Sequence, residues 1–367
     1  MPFPALQIGN LKAETPIVQG GMGVGISLSG LASAVANEGG IGVIAGAMIG
    51  MTQSDVAQNP LEANLRALKQ EIQKARSKTS GVLGVNIMVA LTTFAQMVRT
   101  AIENKIDLIF AGAGLPLELP KHLRDMCEEK KEEFKTKLVP IVSSARAATV
   151  IAKKWISRFD YVPDAFVLEG PKAGGHLGFQ PENLDDPAYS LDVLLPQVVD
   201  AVKPFEDKYG RKIPVIAAGG VYTGEDIHRY LTLGASAVQM GTRFVATYEC
   251  DADIKFKEAF IAAKKEDITI INSPVGMPGR AIYNDFIRQA REGLTKPFKC
   301  IFHCVKTCNR EKTPYCIARV LLNAMRGRLE NGFAFCGSNV FRVDSILSVH
   351  ELIDSLRREY EKVTQKS

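Results

Sequence analysis

The chain has 367 residues, 46% of them hydrophobic, with 45 Lys and Arg against 40 Asp and Glu for a net charge of +5. That length buries a large core in one big domain or two ordinary ones, and the composition excludes disorder. The surplus cations are scattered through mixed-sign stretches such as 121–137, so no basic stripe for nucleic acid is present. The apolar run 39–51 is broken by glycine and too short to span a bilayer, and the first residues lack the charged and long apolar regions of a signal peptide. A cytoplasmic protein is expected, with its seven cysteines as thiols or metal ligands rather than disulfides.

In chain order, continuous β-rich apolar runs fall at 16–19, 41–45, 82–88, 108–111, 138–142, 165–168, 214–217 and 237–240. Helical periodicity occupies 31–37, 60–78, 94–104, 145–158, 192–208 and 224–233, with Thr223 as an N-cap for the last. Unbroken apolar strands suit a parallel sheet covered on both faces. Eight of them alternating with helices predict an α/β fold, a TIM (β/α)8 barrel. An open doubly wound sheet fits less well, because glycine follows most strands rather than one switch point.

In a barrel the strand C-termini build the active site. Those positions hold Gln19-Gly20-Gly21-Met22-Gly23, Gly46 with Ala47, Asn86, Gly112-Ala113-Gly114 and Ser143. The later strands add Ala173-Gly174-Gly175-His176, Gly219-Gly220 and Gln239-Met240-Gly241-Thr242. Small residues at one rim leave room for a large planar ligand. The last two sets follow strands seven and eight, where such barrels bind phosphate on backbone amides; the same glycines also suit plain tight turns. Glycines flanking His176 open its imidazole to a ligand, although a histidine there also suits a helix cap.

The runs Pro16-Ile17-Val18-Gln19-Gly20-Gly21-Met22-Gly23, Gly39-Gly40-Ile41-Gly42, Ala173-Gly174-Gly175-His176-Leu177-Gly178, Ala217-Ala218-Gly219-Gly220-Val221 and 234–244 together resemble the nitronate monooxygenase family, formerly 2-nitropropane dioxygenases. The same superfamily includes flavin-dependent enoyl-[acyl carrier protein] reductases. The resemblance covers most of 1–250. It implies a TIM barrel holding FMN, with a smaller, mostly helical domain inserted after strand eight. It places the phosphate on Gly219, Gly220, Gly241 and Thr242, beside Gln239 and Met240. The flavin ring would lie against Gln19, Gly20, Gly21 and Met22, with Asn86 at its polar edge and Ala173, Gly174 and Gly175 on its other side. His176 would face the substrate as the catalytic residue. One departure is Lys172, where the family often has an acidic residue; a cation there favours an anionic substrate or points to solvent.

The expected domains are a barrel over 1–245, an inserted domain over 246–335 and a C-terminal return over 336–367. The return ends in an amphipathic helix at 348–363, apolar at Leu352, Ile353 and Leu356. The leading activity is oxidation of an alkyl nitronate with oxygen to a carbonyl compound and nitrite. The rival is an NAD(P)H-dependent flavin reductase acting on an enoyl-acyl carrier protein or a quinone, for which the basic segment 296–312 would suit an acidic carrier. A flavin-free lyase using Lys172 as a Schiff-base amine is a third reading. The turn-rich 273–280 loop is a candidate cover for the site, with Arg280 either pairing an anion or solvated. Cys300, Cys304 and Cys308 share one face of any helix there; with Cys316 they are candidate ligands for zinc or an iron–sulfur cluster, or else small buried apolar residues. The expected partner is a small-molecule substrate, an anion being one form, rather than nucleic acid or membrane, and the oligomeric state is open, with a homodimer as one form.

Overall fold

The computed structural model describes residues 2–295, 298–309 and 311–365. An antiparallel hairpin, β1 (Leu6–Ile8) with β2 (Leu11–Ala13), comes first. The sheet strands follow: β3 (Ile17–Gln19), β4 (Gly42–Ala45), β5 (Leu83–Met88), β6 (Leu108–Gly112), β7 (Lys137–Val142) and β8 (Phe166–Glu169). After the short β9 (Gly175–His176) come β10 (Val215–Ala218) and β11 (Ala237–Met240). Between them run α1 (Ser29–Asn37), α2 (Pro60–Lys78), α3 (Phe94–Glu103), α4 (Leu119–Lys130), α5 (Ala145–Phe159), α6 (Leu191–Tyr209) and α7 (Gly224–Thr232).

The eight strands pair in parallel in the order β3-β11-β10-β8-β7-β6-β5-β4. A parallel bridge from Val18 to Ile41 closes the barrel. There the Gln19 N–H donates to the Ile41 carbonyl at 2.9 Å and the Ile41 N–H to the Ile17 carbonyl at 2.9 Å. Val18, Val43, Phe110, Val139, Val167 and Ile216 fill the interior, and Leu6, Ile8 and Ala13 of the hairpin pack under them as a bottom plug. The opposite strand faces and the helices form the larger outer core. Gly42 lets α1 approach β4, since a Cβ there would lie 1.8 Å from the Ala32 carbonyl oxygen.

Local signals agree with these elements. Thr223 and Asp226 form a capping box on α7, and Ser144 caps α5 through the Ala147 N–H. The sequence reading passed over α4, whose buried Leu119, Leu123 and Met126 sit at helical spacing inside a charged stretch.

Beyond β11 lie α8 (Thr242–Val245), α9 (Ile254–Ala262), β12 (Ile268–Asn272), β13 (Pro278–Ile282), α10 (Asp285–Arg291) and α11 (Ile317–Met325). Strands β12, β13 and β9 form a three-stranded antiparallel sheet. Ile271, Val275, Ala281, Tyr315, Val320 and Phe333 make a second small core around it. The last helix, α12 (Val349–Thr364), carries a Ser348–Glu351 capping box and buries Leu352, Ile353 and Leu356 as expected. No helix among the described residues is long and apolar enough to cross a membrane.

The cysteine segment differs from its expectation. Residues 300–308 form no helix. Val305 instead bridges Leu91 antiparallel, the Thr92 N–H donates to the Cys304 carbonyl at 3.1 Å, and the Lys306 N–H donates to the Ala90 carbonyl at 2.9 Å. Those backbone groups pair sideways with the loop after β5, so the i to i−4 ladder cannot form. Cys316 ends up as the N-cap residue of α11. The metal site expected from Cys300, Cys304, Cys308 and Cys316 is not assembled: among the described residues no group of three or more His, Cys, Asp or Glu is arranged to hold a metal ion. Burial pushes the Cys304 thiol up to about 12, the opposite of what a thiolate ligand requires.

Candidate active site

The C-terminal ends of the strands open into a cavity of about 290 Å³. Gly20, Gly21, Met22 and Gly23 wall it after β3, Asn86 and Met88 on β5, and Gly112 with Ala113 after β6. Glu169 and residues 172–176 follow β8, residues 218–222 follow β10, and residues 239–242 close the ring at β11. Phe335 and residues 336–339 return from the C-terminal part of the chain to complete it.

One wall is flat because it has no side chains. A Cβ on Gly21 would fall 2.4 Å from Asn86 Cβ, so only glycine fits against that asparagine. Asn86 on β5 and Gln239 on β11 both face the cavity, and neither side-chain amide has a hydrogen-bond partner among the described residues. Unpaired amides at a cavity wall are poised for a polar ligand edge.

A second wall is a cradle of backbone. Gly219 and Gly220 line the cavity with φ values of +96° and +94°, a conformation other residues rarely adopt. The Thr242 hydroxyl accepts from the Gly337 N–H at 3.0 Å, which leaves its own proton free to donate. The Asn339 amide donates to the Gly220 carbonyl at 2.8 Å, and the Ser338 N–H to the Lys172 carbonyl at 3.1 Å. The segment 336–339 thus fastens the loops after β8, β10 and β11 together.

His176 is fixed by three neighbours. Its strand pairs with β13 through Gly279. Its ring meets the Phe335 ring edge-on, with centroids 4.9 Å apart. Its Nε2 lies 2.7 Å from the Ser273 hydroxyl. That hydroxyl also accepts from the Val275 N–H at 3.4 Å, which leaves it one lone pair and its own proton to share with Nε2. Burial lowers the His176 pKa to about 4, which keeps the ring neutral. Glu169 ends β8 at the same cavity, and burial raises its carboxyl to about 7.

Arg280 neither meets an anion nor lies in solvent. It is only 6% exposed, and its Nη1 donates to the Pro171 carbonyl at 2.7 Å and the Ala173 carbonyl at 2.6 Å. Its loop, expected as a cover, is the turn of the β12–β13 hairpin, and that hairpin is paired to β9 rather than standing open.

Of the residues read from sequence, Gly20, Gly21, Met22, Asn86, Ala173, Gly174, Gly175, His176, Gly219, Gly220, Gln239, Met240, Gly241 and Thr242 meet around this one cavity. Gln19 does not reach it. Its fully buried amide accepts from the Val43 N–H at 3.0 Å and donates to the Gly20 carbonyl, joining β3 to β4 at the barrel seam. Sequence reasoning missed Glu169, although a carboxyl at a strand end directly before Gly170 was a visible signal. The sequence placed Ser273 in the loop at 273–280 and Phe335 and Asn339 where the chain returns to the barrel rim, but their individual roles carried no signal, since their partners lie roughly a hundred positions away or more.

A parallel barrel with a glycine-walled cavity, an amide-lined cradle after its last two strands and a neutral histidine above defines a TIM-barrel enzyme. The chain belongs to the nitronate monooxygenase family, whose family model matches residues 5–359. A probable nitronate monooxygenase of Staphylococcus aureus (strain Newman) is 31% identical over 307 residues, covering 76% of this chain and 78% of that protein. The Thermotoga maritima FabK structure superposes with a TM-score of 0.72 at 28% identity, covering 96% of this chain and 94% of that one. A nitroalkane oxidase from Streptomyces ansochromogenes shares the fold with a TM-score of 0.72 at 22% identity, over 98% of both chains.

Proposed function

We propose that the protein is an FMN-dependent oxidoreductase that oxidises alkyl nitronates with molecular oxygen to a carbonyl compound and nitrite. The observation that carries this reading is the meeting, in one cavity, of the Gly219–Gly220 and Gly241–Thr242 cradle with neutral His176 and a wall stripped of side chains at Gly20 and Gly21. The cofactor fits the residues present. Gly219, Gly220, Gly241 and Thr242 would hold its phosphate; Gly20, Gly21, Met22 and residues 173–175 would flank its ring; the Asn86 and Gln239 amides would meet its polar edge. Bound there, it would supply the electron acceptor that no side chain provides.

The chain's own groups supply orientation and protons. A nitronate arrives already deprotonated at carbon, so the site has an anion to position. His176, neutral at working pH, offers one ring nitrogen for a hydrogen bond while Ser273 holds the other. Phe335 packs the imidazole against the small sheet and fixes its plane. Glu169, with its pKa raised to about 7, exchanges a proton within the cavity near neutral pH.

A second reading, reduction of an acyl thioester with electrons from NAD(P)H, is favoured by the FabK similarity. A Rhodococcus jostii (strain RHA1) relative, 27% identical over 274 residues and covering 75% of this chain and 64% of that protein, is also named a carboxyl-CoA dehydrogenase. Of the basic segment suited to a carrier protein, Lys296, Pro297 and Arg310 lie outside the described residues. The two readings separate in one anaerobic experiment on purified protein. Flavin absorbance bleached by propyl-2-nitronate and indifferent to NADH and NADPH supports the monooxygenase. Rapid bleaching by either nucleotide, with no response to nitronate, overturns it in favour of the reductase.

A further inference from the structure

Lys172 is a charged side chain on the cavity wall that the proposed chemistry leaves without a role. Its backbone is held from two sides. Its carbonyl accepts from the Ser338 N–H at 3.1 Å, and Arg280 clamps the carbonyls of the residues before and after it. Its stem lies along Gly220: a Cβ built there would meet Lys172 Cβ at 3.0 Å and Cδ at 3.2 Å. The ammonium has no carboxylate or other hydrogen-bond partner among the described residues. The Gly220 carbonyl beside its stem is already hydrogen-bonded to Asn339. Its stem thus runs along the cavity wall that also holds the Gly219, Gly220 and Gly241 peptides and the Thr242 hydroxyl. Lys172 is exposed at the cavity mouth, and an ammonium beside such donors favours an anion.

We infer that the Lys172 ammonium binds the phosphate of the cofactor, adding an ionic contact to the backbone cradle of Gly219, Gly220, Gly241 and Thr242. The inference rests on the flavin reading above and names the chemical class: a phosphate monoester dianion at the end of the cofactor, not the substrate. The stem lies against Gly220 of the cradle. A lysine acts there as a flexible point charge, so the contact contributes affinity and salt dependence more than geometry.

The test is binding of FMN and of riboflavin, which lacks the phosphate, to the full-length protein freed of flavin, followed by quenching of flavin fluorescence at several salt concentrations. K172M keeps the stem on Gly220 and removes the charge; K172R keeps the charge. The expected result is a loss of about tenfold in FMN affinity for K172M, with riboflavin affinity unchanged, a shallower salt dependence, and near-native behaviour for K172R. Equal weakening of both flavins overturns the inference by making the lysine structural. Unchanged FMN affinity with a raised KM for the nitronate overturns it by turning the lysine toward the substrate. If the unaltered protein binds neither flavin, the cofactor reading itself fails and the inference falls with it, an outcome distinct from native FMN binding that K172M leaves intact.

Discussion

Replacing Arg280 with methionine removes a buried guanidinium while keeping most of the volume of its stem. The native side chain gives two charge-assisted hydrogen bonds to the carbonyls of Pro171 and Ala173, at 2.7 and 2.6 Å. Bonds to a charged group contribute about 1.5–3 kcal/mol each, and a buried carbonyl left unpaired costs about 1–3 kcal/mol. Against this stands the desolvation of the guanidinium, which holds its pKa below the ordinary arginine value. Relief of that penalty returns part of the loss, because no carboxylate shares the site as an ion-pair partner among the described residues. The net expectation is a destabilisation of about 2–4 kcal/mol. The effect is also local: residues 170–176 carry Lys172 and His176, so their amide exchange rises more than that of the barrel strands. R280K keeps the charge on a shorter reach and is expected to fall between. Urea unfolding and hydrogen exchange measure both effects. An R280M protein within about 0.5 kcal/mol of native stability, with unchanged exchange at 170–176, refutes the clamp.

Two further outcomes follow from the same site. His176 is held neutral down to about pH 4, whereas an ordinary histidine titrates near 6.5. Between those values the unfolded chain binds more protons than the folded one, so stability falls as pH drops through that window and is unaffected above it. H176Q is expected to lose less stability than the native protein between pH 7 and pH 5 in urea unfolding; parallel losses reject the assignment. G21A places a methyl 2.4 Å from Asn86 Cβ and 3.3 Å from Val43 Cγ1. Overpacking of about 1–3 kcal/mol and a displaced Asn86 are expected, read as lower unfolding midpoint together with loss of bound flavin. A G21A protein that keeps native flavin content shows that the wall tolerates a side chain.

The barrel was legible because its signal is local. The run 237–240 appears unshifted as β11, and 214–217 moves by one residue to become β10, since a parallel strand covered on both faces is nearly all apolar, Gln239 at the cavity being the polar position of β11. The rim was legible for the same reason, as glycine placed directly after a strand is a nearest-neighbour pattern. What escaped was lateral. Nothing near Gly175 and His176 announces a strand, because its partner Gly279–Arg280 lies about a hundred residues on. The four-residue spacing of Cys300, Cys304 and Cys308 matched a helix, and pairing with Ala90–Thr92 overrode it. Arg280 read as an exposed loop residue because the carbonyls it bonds are invisible to any pattern of side chains. Gln19 read as a rim residue from its position, yet its amide points into the barrel seam.

The segment 336–339 has a consequence for the making of the molecule. Its bonds to Thr242 and Gly220 span 95 and 119 positions, so no chain ending short of residue 339 can complete the cradle. A ribosome-bound chain that has already emitted all eight barrel strands still has an unfinished site. The cradle is therefore finished after the strands that line it, by residues 337–339.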